Sequence, residues 1–536
     1  MTTLTESHWL VHGQPETSTT IGDQLRTWAD KSPEALALIG FSARTPADLA
    51  TWTYASLYEK ATAGAYALRS RVGVGERIAI CAPNVLEWVV LYLSAALAGN
   101  QVVPLNPSLR EHEMKRIVVD ANCSAMFVVA EHRGNDIAQI ADRLKRDVYS
   151  LRQIVDLQDW DSFTSGSPQR DLPVLKPSDI ALVQYTSGTT GPAKGVLLTH
   201  HALTDASIRS GRALGIHADD VYANPFPLFH VGGTVGAIGV CLAAGATLAL
   251  LPAYSADDMI DLIANSEATI AAGVPTVLRG LLSRLHEQPE LSSRLRVINT
   301  GATTVPAHLI EEYEALGIRI SVSYGQSECP TITRTRVSDD PLTRARTVGQ
   351  PVDGLEVKVV DIESRKTTAI GAVGELCVRG TNVMSGYLGH PVATRAVLDA
   401  DGWLCTGDLA TMTAGGHCSI VGRLKDLIIR GGENVHPREV EEVLTSHPDV
   451  DDAAVIGSPD DEFGEQVLGV IVPAPGRSID WSQLTEFART ELASFKVPRR
   501  WKLASELPRN AAGKVEKHRL DNADYEIVED SHAKSR

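Results

Sequence analysis

The chain has 536 residues, 43% of them apolar and 22% charged, which is ample for a sizeable core and longer than one core usually grows, so two or more domains are expected. Its formal charge is −16 with no long Lys/Arg run, which disfavours a general role on nucleic acid or an anionic membrane while leaving room for a local basic patch that holds phosphates. Seven scattered cysteines (Cys81, Cys123, Cys241, Cys329, Cys377, Cys405, Cys418) form no C-x-x-C pair, arguing for reduced thiols and against a disulfide framework or structural zinc.

The first residues, MTTLTESHWL, carry neither the basic nor the apolar segment of a signal peptide, so a cytoplasmic protein is expected. Short apolar runs at 77–81, 102–105, 126–129, 180–183 and 248–251 read as strands. Helical periodicity separates them, as at 88–98 and 257–266. This alternation predicts an α/β protein with largely parallel, buried sheets. Residues 231–252 hold no charge and have the length of a membrane span, but their five glycines point instead to a buried helix followed by a buried strand. After about residue 350 the runs shorten (355–361, 374–379, 417–421), predicting a β-rich subdomain over about 350–423. Beyond Arg423 a small α+β unit is expected, with helices at 437–446 and 481–492 and strands near 453–456 and 467–472. The domains are therefore taken as 1–423 and 424–536, and the tail after Asp521 reads as polar and frayed.

The densest chemistry is Tyr185-Thr186-Ser187-Gly188-Thr189-Thr190-Gly191-Pro192-Ala193-Lys194-Gly195-Val196. Glycines let backbone N–H groups turn toward a polyphosphate, hydroxyls add donors, and Lys194 supplies a point charge. The spacing is not that of a Walker A loop, and a strand rather than a helix follows the lysine, so the element reads as strand–loop–strand. The alternative, a plain surface Ser/Thr/Gly turn, accounts for any four of these residues but not for the whole string.

The string resembles the phosphate loop of the adenylate-forming superfamily, in its acyl-CoA synthetase (acid–CoA ligase) branch, and further motifs follow in the family's order over roughly residues 20 to 520. The resemblance implies a large N-terminal AMP-binding domain and a small mobile C-terminal domain turning about a hinge at Lys425, in Arg423-Leu424-Lys425-Asp426. It implies ATP contacts from the loop (Thr186, Ser187, Gly188, Thr189, Thr190, Gly191, Lys194), with Thr186 also catalytic. Gly301-Ala302-Thr303 resembles the adenine-pocket turn. In Tyr324-Gly325-Gln326-Ser327-Glu328 the ring would stack near adenine and Glu328 would hold Mg²⁺; Ser327 stands where threonine is usual and keeps the hydroxyl. Taken alone, that string would be a loop with a helix cap.

Asp408, in Thr406-Gly407-Asp408, and Arg423 would grip the ribose. Gly431, Gly432, Glu433, Phe463, Phe495 and Arg499 fall where relatives hold coenzyme A. Lys514, in Pro508-Arg509-Asn510-Ala511-Ala512-Gly513-Lys514, would bridge the acyl carboxylate and the α-phosphate during adenylation. His230, in Pro227-Leu228-Phe229-His230-Val231-Gly232-Gly233, matches an aromatic that gates the carboxylate pocket. The other candidate lining positions, Gly232, Gly233, Val274, Ala302, Thr303, Gly325, Gln326 and Cys329, are small and mostly apolar, with no Lys or Arg among them. That favours a hydrophobic monocarboxylate: aryl, alicyclic or terpenoid, or medium-chain fatty.

The implied substrates and cofactors are the acid, ATP, Mg²⁺ and coenzyme A; a homodimer is the assembly carried. Three other functions stay open at this point. The chain could load a carrier protein in trans, perform only one half-reaction on a preformed adenylate, or bind a nucleotide as a non-catalytic regulator. The intact Lys514, Asp408 and Glu328 speak against the last.

Overall fold

The computed structural model describes residues 3–10, 18–46, 48–186, 193–301, 305–431, 433–460, 462–509, 514–520 and 527–529. They divide into two compact units, one of residues 9–357 with 378–404 and the other of residues 1–8, 358–377 and 405–536.

The larger unit is built on a seven-stranded and a nine-stranded sheet. In the first, strands Ile180–Tyr185, Gln101–Leu105, Arg77–Cys81, Cys123–Val128 and Gln153–Asp156 run parallel, Gly195–Thr199 pairs antiparallel beside Ile180–Tyr185, and Gly386–Tyr387 forms the edge beyond it. In the second, six consecutive parallel strands are flanked by antiparallel ones. Strand Arg77–Cys81 is buried at all but its first residue, as a strand with helices on both faces must be. Helix Leu86–Ala98 is buried along its whole length, which its predominantly apolar sequence anticipates. Its one acidic residue, Glu87, sits in the first turn, where it accepts from Ala43 N (2.8 Å) and Ser42 Oγ.

Residues 231–252 form the expected buried helix and strand, and among the described residues no helix is long and apolar enough to cross a membrane. The helix carries a turn that sequence periodicity does not reveal: Thr234–Gly239 is π-helical between α-helical ends. Gly239 ends that turn where the helix packs closely, since a Cβ there would stand 2.0 Å from Ser207 Oγ.

The smaller unit contains most of a five-stranded sheet of His8–Trp9, Glu356–Val360, Gly374–Arg379, Leu404–Met412 and Cys418–Arg423. It also contains a sheet in which Val450–Asp460 pairs antiparallel with Gly464–Pro473 and Arg500–Leu503 adds a parallel strand. Helices Pro437–Thr445 and Trp481–Glu491 pack their apolar stripes onto that sheet around Trp501, 1% exposed. The α/β class with largely parallel sheets, the β-rich segment after residue 350 and the α+β unit beyond Arg423 are all as the sequence indicates.

Candidate active site

In the larger unit, the glycine-rich string lies between two antiparallel strands with Tyr185 opposite Gly195, so the element is strand–loop–strand. Thr186 N donates to Lys194 O at 3.1 Å and closes the base of the loop. Ser187, Gly188, Thr189, Thr190 and Gly191 lie outside the described residues. The Tyr185 phenol donates to Asp120 Oδ2 at 2.5 Å; burial and this bond hold its pKa far above the ordinary value, so it stays a neutral donor.

Strand Gly195–Thr199 pairs on its other side with the two-residue strand Gly386–Tyr387, Val196 opposite Tyr387. That pairing brings the Tyr387 ring under the Lys194 ammonium, 5.4 Å from Nζ to the centroid. The Tyr387 hydroxyl donates to Glu328 Oε1 at 2.7 Å, and Met384 N donates to Glu328 O at 2.8 Å. Burial, then the Glu328 charge, pushes the Tyr387 phenol up, keeping its proton available to the carboxylate. Lys194, Glu328 and Tyr387 thus meet from three distant parts of the chain. Tyr387 was missed by sequence reasoning, since a two-residue edge strand leaves no periodic signal.

The segment Tyr324 to Glu328 is not a loop with a helix cap. Strand Arg319–Gln326 turns at Ser327 and Glu328 into antiparallel strand Cys329–Arg334, Gln326 facing Cys329. Gly325 is required there, because a Cβ would stand 2.3 Å from Pro330 O. Tyr324, Gln326, Ser327 and Glu328 are half-buried, whereas Cys329 is fully buried, its Sγ 3.8 Å from Thr331 O. Gly301 ends strand Val297–Gly301 beside Ser323; Ala302 and Thr303 lie outside the described residues.

His230 caps the helix that begins at Val231, its ring 4.7 Å from that of Phe229. Gly232 opens onto free space, but Gly233 is buried against the backbone, its Cβ position 2.4 Å from Pro227 O. Val274, half-buried, caps helix Pro275–Glu287. Asn84, 3% exposed, fixes the segment before His230. Its amide donates to Phe226 O (2.9 Å) and Leu251 O (3.0 Å), and Leu228 N donates to its Oδ1 (2.9 Å). No motif points to Asn84; only the tertiary contact does.

In the smaller unit, Asp408 and Arg423 are cross-strand partners, with Arg423 Nε 3.0 Å from Asp408 Oδ1. The Thr406 hydroxyl accepts from Asp408 N (3.1 Å) and donates to Leu376 O (2.7 Å), while Gly407 N donates to Glu375 Oε1 (3.0 Å). The Thr-Gly-Asp string is thereby a pinned strand segment, not a loose turn. Lys425 is exposed in the 3₁₀ turn Leu424–Asp426. Gly431 has φ +60° and donates to Phe463 O at 2.8 Å, and a Cβ there would stand 3.0 Å from the Phe463 ring.

The Arg430 guanidinium lies 4.5 Å over the same ring, a contact the motif reading missed. Burial, then the nearby Arg499 charge, lowers the Arg430 pKa. Exposed Glu433 faces Arg430 across the hairpin, and Gly432 lies outside the described residues. The half-buried Phe495 ring sits 5.7 Å from Lys496 Nζ, and Arg499 N donates to Val467 O. Lys514 is exposed, next to the Arg509–Val515 bridge.

The AMP-binding enzyme family matches residues 25–388, and the AMP-binding enzyme C-terminal domain matches residues 439–514. A Mycobacterium tuberculosis protein named 3-[(3aS,4S,7aS)-7a-methyl-1,5-dioxo-octahydro-1H-inden-4-yl]propanoyl:CoA ligase is 38% identical over 85% of this chain and 91% of its own. The medium-chain fatty-acid–CoA ligase of Escherichia coli is 32% identical over 88% of this chain and 85% of its own. Among solved structures, ATP-bound MatB from Rhodopseudomonas palustris superposes with a TM-score of 0.84 at 31% identity, covering 94% of this chain and 99% of that one. With both family domains in order and relatives matched over most of their length, the chain belongs to the AMP-binding enzymes, in the acyl-CoA synthetase branch of the adenylate-forming superfamily.

Proposed function

We propose that this enzyme activates a hydrophobic monocarboxylic acid, of the aryl, alicyclic or terpenoid, or medium-chain fatty class, as its acyl-adenylate and transfers the acyl group to coenzyme A. The chain is an AMP-forming acid–thiol ligase, and its cofactors are ATP, Mg²⁺ and coenzyme A. The observation that carries the reading is the Lys194–Tyr387–Glu328 cluster beside the base of the phosphate loop. A carboxylate held by a phenol, next to a lysine and a Gly/Ser/Thr loop, offers complementary charge to both a divalent cation and a polyphosphate.

A carboxylate is a poor electrophile, so it first attacks the α-phosphorus of ATP and expels pyrophosphate. Lys194 and the loop beginning at Thr186 take up the polyphosphate charge, and Lys514 neutralises charge between the acyl carboxylate and the α-phosphate. Glu328 would hold Mg²⁺, which when bound screens the phosphate oxygens from the incoming carboxylate. Asp408 accepts from the ribose hydroxyls and Arg423 donates. Thiol attack of coenzyme A on the mixed anhydride follows, assigned to the Gly431–Glu433 segment with Phe463, Phe495 and Arg499. Using Lys514 in one step and Gly431–Glu433 in the next requires a swing of the chain about Lys425.

The acid class is supported by three features. His230 and Gly232 stand at the head of an apolar helix, Gln326 is the only amide among the proposed lining residues, and the two curated relatives above are named for an alicyclic propanoate and for medium-chain fatty acids. None of these proposed lining positions is a Lys or Arg, so none offers a second carboxylate a permanently charged partner. Cytoplasmic placement is supported by seven cysteines that form no C-x-x-C pair in an acidic chain. Mass-spectrometric screening of acids with ATP, Mg²⁺ and coenzyme A tests the whole reading. Acyl-CoA from aryl, alicyclic or medium-chain acids is expected; adenylate without thioester, or turnover of dicarboxylates alone, would overturn it.

A further inference from the structure

Two cysteines separated by 28 positions in the sequence meet in the five-stranded sheet. Cys377 lies on strand Gly374–Arg379 and Cys405 on its neighbour Leu404–Met412, with their sulfurs 3.6 Å apart. Sulfurs this close, on strands that are hydrogen-bonded neighbours, can be joined by a disulfide with a small side-chain movement. Cys377 is 2% exposed, whereas Cys405 is only half-buried and open to a small oxidant. Arg365 completes the group. Its Nη2 lies 3.0 Å from Cys405 Sγ and 3.9 Å from Cys377 Sγ, and its Nη1 pairs with Glu375. The residue holds φ +57°, a left-handed backbone conformation that non-glycine residues rarely adopt, and its guanidinium lies against both sulfurs.

We propose that Cys377 and Cys405 form a peroxide-sensitive dithiol that closes to an intramolecular disulfide and weakens nucleotide binding. Arg365 favours the thiolate of the more open Cys405, which attacks the terminal oxygen of a hydroperoxide, becomes a sulfenic acid and releases the alkoxide, or hydroxide when the peroxide is H₂O₂. The Cys377 thiol then attacks that sulfur, forming the S–S bond and releasing water. In sum, two thiols lose two electrons and two protons while one peroxide is reduced to two oxygen-level hydroxylic products, water when the peroxide is H₂O₂. A low-molecular-weight thiol reverses the change by exchange. Hydrogen bonding to Cys405, then burial, keeps the Cys377 proton in place, consistent with Cys405 as the thiolate that reacts first.

The readout is local. Cys405 directly precedes Thr406-Gly407-Asp408, and that string is tied to the strand carrying Cys377 through Thr406 Oγ1 to Leu376 O and Gly407 N to Glu375. Drawing the sulfurs from 3.6 Å to a bond of about 2 Å shifts both ties together. The effect on activity rests on Asp408 holding the ribose; formation of the bond does not. Glu375, Cys377 and Cys405 also offer three ligand atoms within 4.8 Å of one another, but the guanidinium paired with Glu375 occupies the place a cation would need.

The test uses the full-length enzyme, reduced, desalted and titrated with H₂O₂. Peptide mapping after thiol alkylation should find a 377–405 cross-link, and the KM for ATP should rise at least fivefold and return with dithiothreitol. The Cys405→Ser and Cys377→Ser variants should bind ATP normally and keep that affinity through oxidation. Full alkylation of both cysteines after peroxide, or stoichiometric zinc on the purified protein that blocks alkylation, overturns the dithiol. A complete cross-link with an unchanged KM for ATP leaves the disulfide but overturns its coupling to Asp408. Loss of activity in untreated wild type would instead count against the ligase reading itself.

Discussion

Replacing Tyr387 by Phe removes one hydroxyl and leaves the ring that Lys194 sits over. The lost contact is a 2.7 Å hydrogen bond to a carboxylate, in a half-buried place where burial and the Glu328 charge already hold the phenol protonated. Hydrogen bonds to charged groups contribute about 1.5–3 kcal/mol, and 1.36 kcal/mol is tenfold, so the loss corresponds to roughly 10- to 150-fold if it falls wholly on orienting Glu328. Losing an outer partner of a metal-holding carboxylate ordinarily costs about 10–100-fold, the same range. The assay is acyl-CoA formation at saturating acid and coenzyme A, with Mg²⁺ titrated at fixed ATP. The concentration for half-maximal rate should rise at least tenfold, while the thermal midpoint moves by no more than a few degrees because the ring stays in place. A variant with wild-type Mg²⁺ dependence would refute the assignment of Glu328 to the metal, and a large fall in thermal midpoint would make Tyr387 a structural residue instead.

Lys514→Ala should reduce ATP–pyrophosphate exchange by about 10²–10³-fold yet spare thioester formation from supplied acyl-adenylate; equal loss of both would defeat the division of steps. Asn84→Ala leaves Leu228 N and Leu251 O without their side-chain partner, so it should destabilise the protein by roughly 2–4 kcal/mol in urea and raise the KM for the acid through the loosened His230 segment. His200, 1% exposed with its Nδ1 accepting from Ile21 N at 3.4 Å, has its pKa lowered to about 4 by burial, from 6.5. The unfolded chain therefore takes up a proton below pH 6.5 that the folded one refuses. This stability is present above pH 6.5 and is lost as pH falls toward 4, roughly 1.5 kcal/mol of it between pH 6.5 and 5. The stabilities that urea melts give for wild type and His200→Gln should diverge by that amount between the two pH values; an unchanged difference would show that His200 takes up its proton as readily in the folded chain as in the unfolded one.

Much of this protein was legible from its sequence. A short apolar run located strand Arg77–Cys81, helical periodicity over 88–98 located helix Leu86–Ala98 to within two residues, and the same signals gave the sheet-and-helix order of the C-terminal residues, because buried segments demand apolar residues whatever the fold around them. The phosphate loop was findable because its Gly, Ser, Thr and Lys residues are dictated by backbone geometry and charge over one short stretch, whereas Asp408, Arg423 and Glu328 were found through the family resemblance, and the hairpin that carries Glu328 was not anticipated. What only the tertiary structure decided are partners brought in from far along the chain. Tyr387 reaches Glu328 across 59 positions through a two-residue edge strand, and Asn84 holds Phe226, 142 positions away, by a side-chain amide. Cys377 and Cys405 become a pair only because two strands of one sheet are neighbours. Local sequence determines which way a segment turns and which face it buries. Which side chain arrives at that face depends on chain crossings that no local pattern records.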